Sequence, residues 1–186
     1  MLYLLGGAAR AGKSTLAQRL LIEKRLPYFP IDVLTMGLTR GLPHLDLDPD
    51  GPDRVTGEKL WPIIRAVAEN IIETDVTYLL EGATLLPAYV AELIHAHEAA
   101  VWACFIGYPH ASPEVKVRAI RAFGGGPNDW VRNHTDAQLH ALVDHMVDYS
   151  RYLQEECVRH NIPFFDGSLA FQDTLDQAFH YLTMPS

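Results

Sequence analysis

Cysteine is nearly absent from this chain: Cys104 and Cys157 are the only two among 186 residues. Two thiols make neither a disulfide framework nor a four-ligand zinc centre. Cys104 lies in the apolar run from Ala100 to Ile106 and reads as a buried free thiol. Basic residues are also few, 15 against 23 acidic, for a formal net charge of -8. Such a surface lacks the clustered Lys and Arg that grip a nucleic-acid backbone, so no nucleic-acid partner is expected. No apolar run approaches the ~20 residues of a membrane span. The N-terminus has no basic stretch ahead of a long apolar one. The apolar run begins at Met1 and leaves no room for a removable leader, so a cytoplasmic protein without a membrane partner is the expectation. His95, His97, His140 and His145 have no matched carboxylate or cysteine set and read as surface residues.

The chain has the length of one domain, 1–186, able to bury a substantial core. Apolar residues make up 48% and charged residues 20%, ordinary for a globular protein. Without repeats or low-complexity tracts, the recurring feature is a short apolar run followed by a longer segment with helical spacing. The runs are Leu2–Leu5, Tyr28–Asp32, Val76–Leu80, Ala100–Ile106 and Pro163–Gly167. Between and after them, Ser14–Arg25, Glu58–Thr74, Pro87–His97, Ser112–Phe123, Thr135–His160 and Phe171–Leu182 carry helical patterns. Pro30 lacks a ladder donor and suits an edge strand or a strand end, while Pro62 implies a late start or a kink in its helix. Thr135 is a candidate N-cap. Alternating strands and helices predict an α/β fold, a three-layer α/β/α sandwich on a five-stranded parallel sheet.

The segment Gly7-Ala8-Ala9-Arg10-Ala11-Gly12-Lys13-Ser14 matches G-x-x-x-x-G-K-[ST] at every fixed position. A chance match is expected in on the order of one in a hundred or two chains of this length. The motif also follows an apolar strand and opens an amphipathic helix, the context it requires. Gly7 and Gly12 permit close backbone approaches, and the backbone N–H groups then cradle phosphates at the positive end of the helix. Lys13 is predicted to reach the β and γ phosphates, Ser14 to coordinate magnesium, and Thr15 to continue the nucleotide-binding stretch.

With these residues the chain resembles the P-loop kinases related to nucleoside monophosphate kinases, a group that includes shikimate and gluconate kinases. The resemblance implies ATP and Mg2+ as cofactors and a strand order of 2-3-1-4-5, with the Pro30 strand at an edge. It also implies a role for Asp32, just after the second strand, in orienting an acceptor hydroxyl. Glu81, ending the third strand, would support the magnesium with Ser14. Relatives cover the phosphates with an arginine-bearing lid, which corresponds here to 109–134. That stretch holds Lys116, Arg118, Arg121 and Arg132 around Gly124-Gly125-Gly126, and Arg118 with Arg121 is expected to face the transferring phosphoryl group. The turn Asp166-Gly167-Ser168 resembles the place where relatives pack adenine.

The expected function is an ATP-dependent transfer of the γ-phosphoryl group to a hydroxyl, or a phosphate, of a small-molecule acceptor. The alternatives are a non-catalytic ATP-binding regulatory or interaction protein, a nucleotide kinase and a simple ATPase. A regulatory GTPase is disfavoured because no N-K-x-D segment exists. Asp32 could instead be a helix cap, and Glu81 a solvated strand end. Asp46, Asp48, Asp50 and Gly51 imitate the start of a calcium loop, but the position that needs a bidentate Glu is Gly57. Neither the acceptor nor an oligomeric state follows from the sequence.

Overall fold

The computed structural model describes residues 1–123 and 131–184. Strand β1, Leu2–Gly7, leads through the glycine loop into α1, Lys13–Lys24; β2, Tyr28–Pro30, runs straight into α2, Ile31–Gly41. A short 3-10 turn at Pro43–Leu45 precedes α3, Asp53–Glu73. Then follow β3, Tyr78–Gly82; α4, Pro87–Ala96; β4, Val101–Gly107; and α5, Pro113–Phe123. The chain closes with α6, Asp136–Arg159; β5, Phe164–Asp166; and α7, Phe171–Thr183. All strand pairs are parallel and the order is β2-β3-β1-β4-β5, as the resemblance implied.

The period of two along β1 creates the two halves of the core. Leu5 joins Leu16, Ala17 and Leu20 of α1, Val143 and Val147 of α6, and Leu175 and Phe179 of α7. Leu2 and Leu4 face the other way, among Leu60 and Ile64 of α3, Val90 and Leu93 of α4, and Phe105. Helix α6 contributes to both layers, since Leu153 and Cys157 lie in the second. A sheet covered on both faces needs nearly continuous apolar strands, which explains why β4 shows little alternation. Cys104 and Cys157 are both buried and free. No helix among the described residues is long and apolar enough to cross a membrane.

Two boundaries differ from the sequence expectation, and both bear on the site. Helix α3 starts at Asp53 rather than near Glu58, and Pro62 sits inside it. Leu60, Trp61 and Ile64 on either side of the proline are buried, so packing carries the helix through a missing amide donor. Helix α2 starts at Ile31, one residue before Asp32, with Pro30 at the N-cap and no side-chain capping hydrogen bond. Asp32 therefore lies in the first helical turn and is not the cap.

Candidate functional site

The candidate phosphate loop, from Gly7 to Ser14, is shaped by close backbone contacts. Gly7 has φ 145°, and a Cβ there would sit 2.1 Å from the carbonyl oxygen of Ile106 in β4. The same carbonyl accepts from the Ala8 amide at 3.2 Å, holding the loop against the strand end. Gly12 has φ 96° and caps α1; a Cβ there would meet Leu175 and Phe171 of α7 at 2.9 Å. Arg10 takes a positive φ of 59° at the bend. The amide of Ala11 turns inward to the Ala8 carbonyl at 3.2 Å. Donors for an anion therefore come from the first turn of α1, at Lys13, Ser14 and Thr15, where Gly12 supplies no capping side chain.

Lys13 is buried, and its ammonium donates to the Ala8 carbonyl at 2.9 Å across the mouth of the loop. Burial pushes its pKa down, opposed by the negative charges of Glu81, Asp32 and Asp53. Glu81, 4% exposed at the end of β3, accepts from the Ser14 hydroxyl at 3.0 Å. Burial raises the Glu81 carboxyl, while Lys13 and the Ser14 hydrogen bond pull it back. In register, Glu81 sits opposite Leu5 of β1 and Pro30 of β2. Asp32, two residues beyond Pro30, is brought to the same end of the sheet, and a Cβ on Gly82 would press on Ile31 at 2.9 Å. The structure thus gathers Lys13, Ser14, Glu81 and Asp32 at the carboxyl ends of the strands, where open α/β sheets hold ligands.

Asp53 was not singled out from the sequence. It opens α3, half-buried, and lies close enough to Lys13 and Asp32 for each to shift its carboxyl, although burial raises it most. The available signal was Pro52-Asp53 before an apolar-periodic stretch, a helix start with an acidic first turn; placing that start near Glu58 hid it.

The cationic residues of α5 divide between two places. The Lys116 ammonium donates to the Arg10 carbonyl at 3.0 Å and lies 3.7 Å from the centroid of the Tyr108 ring. The Tyr108 hydroxyl in turn donates to the Ala9 carbonyl at 2.6 Å. Burial pushes Lys116 down to about 8. Arg121 turns instead to α6, donating to the His134 carbonyl at 2.6 Å and to Asp136 at 2.9 Å. Arg118 and Arg121 line a cleft with Glu114, Asp136 and His140 that includes no residue of the phosphate loop. The expectation that these two arginines face the phosphoryl group thus meets a different arrangement, in which α5 offers Lys116 to the loop. Arg132 is exposed, and Gly124, Gly125 and Gly126 lie outside the described residues. In the turn after β5, Ser168 accepts from the His110 amide at 3.0 Å and donates to Asp166. Phe171, just beyond, borders Gly12.

The sequence matches no family model and no curated protein. Among solved structures the chain is similar to a gluconokinase from Sinorhizobium meliloti, with a TM-score of 0.57 and 15% identity over 97% of this chain and 90% of that one. It is also similar to a shikimate kinase from Bacteroides thetaiotaomicron, with a TM-score of 0.53 and 12% identity over 99% of both chains. A sugar kinase from Janibacter gives a TM-score of 0.54 and 17% identity, over 97% of this chain and 93% of that one. At such identities the likeness establishes the fold, which is that of the small-molecule P-loop kinases.

Proposed function

We propose that the protein is an ATP-dependent kinase that transfers the γ-phosphoryl group to a hydroxyl of a small molecule. The observation that carries this reading is the convergence of Lys13, the Ser14–Glu81 pair and Asp32 at adjoining strand ends on this fold. A mechanical ATPase has no need of the third element, a carboxylate on the strand end beyond Glu81, free to meet an incoming group.

Lys13 would exchange the Ala8 carbonyl for phosphate oxygens, gaining a charged partner for a buried ammonium. The Ser14 hydroxyl and Glu81 carboxylate are hard oxygen donors 3.0 Å apart, and a carboxyl that burial disfavours as an anion is stabilised by a cation. The pair therefore fits magnesium, which would supply neutralisation of charge on the transferring group. Asp32 would accept the acceptor's hydroxyl proton as the new oxygen–phosphorus bond forms and the bond to the β-phosphate oxygen breaks, releasing ADP. Lys116, already at the loop, adds a second cation beside the phosphates.

Asp32→Asn tests the reading, because it removes the base while keeping the shape. MgATP affinity, measured by calorimetry, should stay within about twofold. Turnover of an acceptor found by screening hydroxyl compounds should fall by roughly 10²–10⁴-fold. Full turnover in Asp32→Asn would remove Asp32 from the chemistry, and silence towards every acceptor with intact MgATP binding would favour a protein that uses ATP only as a ligand.

A further inference from the structure

Five residues other than glycine have a left-handed backbone among the described residues: Arg10, Arg25, Asp46, Asp75 and Asn161. Four of them close a helix, at or just after the C-caps of α1, the 3-10 turn, α3 and α6. That conformation is common at helix ends. Arg10 is the exception, since it lies ahead of α1, inside the glycine-rich loop, with φ 59°. A long side chain at such a φ is unfavourable, so the bend needs support from its surroundings.

The support comes from two side chains far away in sequence. The dihedrals of Arg10 set the rotation between two peptide planes, Ala9–Arg10 and Arg10–Ala11. Tyr108, the residue after β4, donates its hydroxyl to the Ala9 carbonyl at 2.6 Å and so holds the first plane. Lys116 of α5 donates to the Arg10 carbonyl at 3.0 Å and holds the second. The two donors also pack on each other, with the ammonium 3.7 Å from the centroid of the Tyr108 ring and 6.0 Å from that of Phe171.

Tyr108 is 1% exposed and lies in the core with Ala8 and Ala11, so its hydroxyl meets the loop from the side of the core. A trans peptide points its carbonyl and its amide in opposite directions. The plane held by Tyr108 therefore turns the Arg10 amide away from the core. The plane held by Lys116 turns the Ala11 amide away from that ammonium, and this amide meets the Ala8 carbonyl at 3.2 Å. The same Ala8 oxygen receives the Lys13 ammonium at 2.9 Å. Tyr108 and Lys116 thus grip the bend on one side, and Lys13 stands on the other.

We infer that Tyr108 and Lys116 are positioning residues for the nucleotide, which lock Arg10 in its left-handed conformation so that the loop has its anion-binding shape before a phosphate arrives. This rests on the kinase reading, in which the loop from Gly7 to Ser14 holds the phosphates of ATP. It adds Tyr108, an uncharged residue that acts through the backbone and not on the ligand. Without the brace Arg10 relaxes towards negative φ, the competent loop becomes a fraction of the population, and the apparent affinity falls by that fraction.

Tyr108→Phe tests this, because it removes one hydroxyl and leaves the ring in the core beneath Lys116. Calorimetry on the full chain compares MgATP with magnesium tripolyphosphate. Both affinities should fall by about tenfold in Tyr108→Phe, by the same factor, since the brace serves the phosphates alone. That factor should not change between low and high salt, because the hydroxyl carries no charge. Lys116→Met should lose at least as much, and part of its loss should shrink in salt. The decisive comparison is made on Arg10→Gly, where a left-handed φ is free of strain. Arg10→Gly should keep binding both ligands, and adding Tyr108→Phe to it should cost less than about threefold. A merely structural hydroxyl would lower the thermal midpoint in both backgrounds and leave affinity alone. Unchanged affinity in Tyr108→Phe, a loss with MgATP that magnesium tripolyphosphate does not share, failure of Arg10→Gly to bind, or an equal loss in both backgrounds overturns the inference. The kinase reading is separable: wild-type binding of MgATP with an indifferent Tyr108→Phe defeats the brace alone, whereas a wild type that binds neither ligand defeats both.

Discussion

At the scale of single residues, backbone crowding and burial set what each position tolerates. Gly7 combines a left-handed φ with a backbone oxygen where its Cβ would go, so the neighbour cannot yield by rotating a side chain. Gly7→Ala should cost about 3 kcal/mol or more, from strain and overpacking together. Urea unfolding measures it; a loss below about 1 kcal/mol would show that the loop can relax away from β4. Lys116 offers a titration. Its folded-state value, about 8, lies below the ordinary 10.5. Between those values the unfolded chain binds more protons, so stability linked to this group rises with pH across the window and is lost as pH falls through about 8. The stability of the wild type relative to Lys116→Met should therefore increase from about pH 8 to about pH 10. A flat difference would mean that the ammonium is not desolvated against Tyr108 and the loop.

Elements show where local signals sufficed and where packing overrode them. Helix α6 begins as its sequence implies: Thr135 accepts from the Gln138 amide, and the Gln138 side chain returns a bond to the Thr135 amide, a complete capping box. Thr135→Ala should cost about 1 kcal/mol in a denaturant midpoint with unchanged slope, and Thr135→Ser much less. An unchanged midpoint for Thr135→Ala would mean that the cap adds nothing to the packing of the helix. Helix α3 was harder to read, because Pro62 argues locally against the continuous helix that Leu60, Trp61 and Ile64 enforce by burial. The misplaced start concealed Asp53, so the error in an element boundary became an omission in the site. Helix α5 shows a similar limit. Its basic residues are evident in the sequence, but their directions depend on the partners that the fold supplies, the Arg10 carbonyl for Lys116 and Asp136 for Arg121.

At the scale of the whole molecule, the phosphate loop joins three parts of the chain: β1 below it, α7 against Gly12, and β4 with α5 beside it. A ligand in the loop should therefore stabilise the protein as a unit. At free MgATP a hundredfold above its Kd, binding adds about 2.7 kcal/mol, which for a domain of this size raises Tm by roughly 5–10 °C. Lys13→Ala should unfold cooperatively but lose most of that shift. Equal shifts in both proteins would place the nucleotide elsewhere. Calorimetric scans at several MgATP concentrations give the comparison directly.

The sequence by itself determined the glycine-rich motif between β1 and α1 and the layering of the fold. Glycine spacing, Lys13 and Ser14 form a contiguous local motif, and the alternation of apolar runs with helical periods needs no distant information. Asp32 and Glu81 were legible as residues at strand ends. Only the tertiary structure decided that Glu81 closes on Ser14, that Asp32 leaves the cap position to Pro30, and that Asp53 joins them. Those relations connect segments that are up to 67 residues apart in sequence. No local period encodes them, because they follow from a parallel sheet that brings the ends of successive strands to one edge, where loops distant in sequence become neighbours.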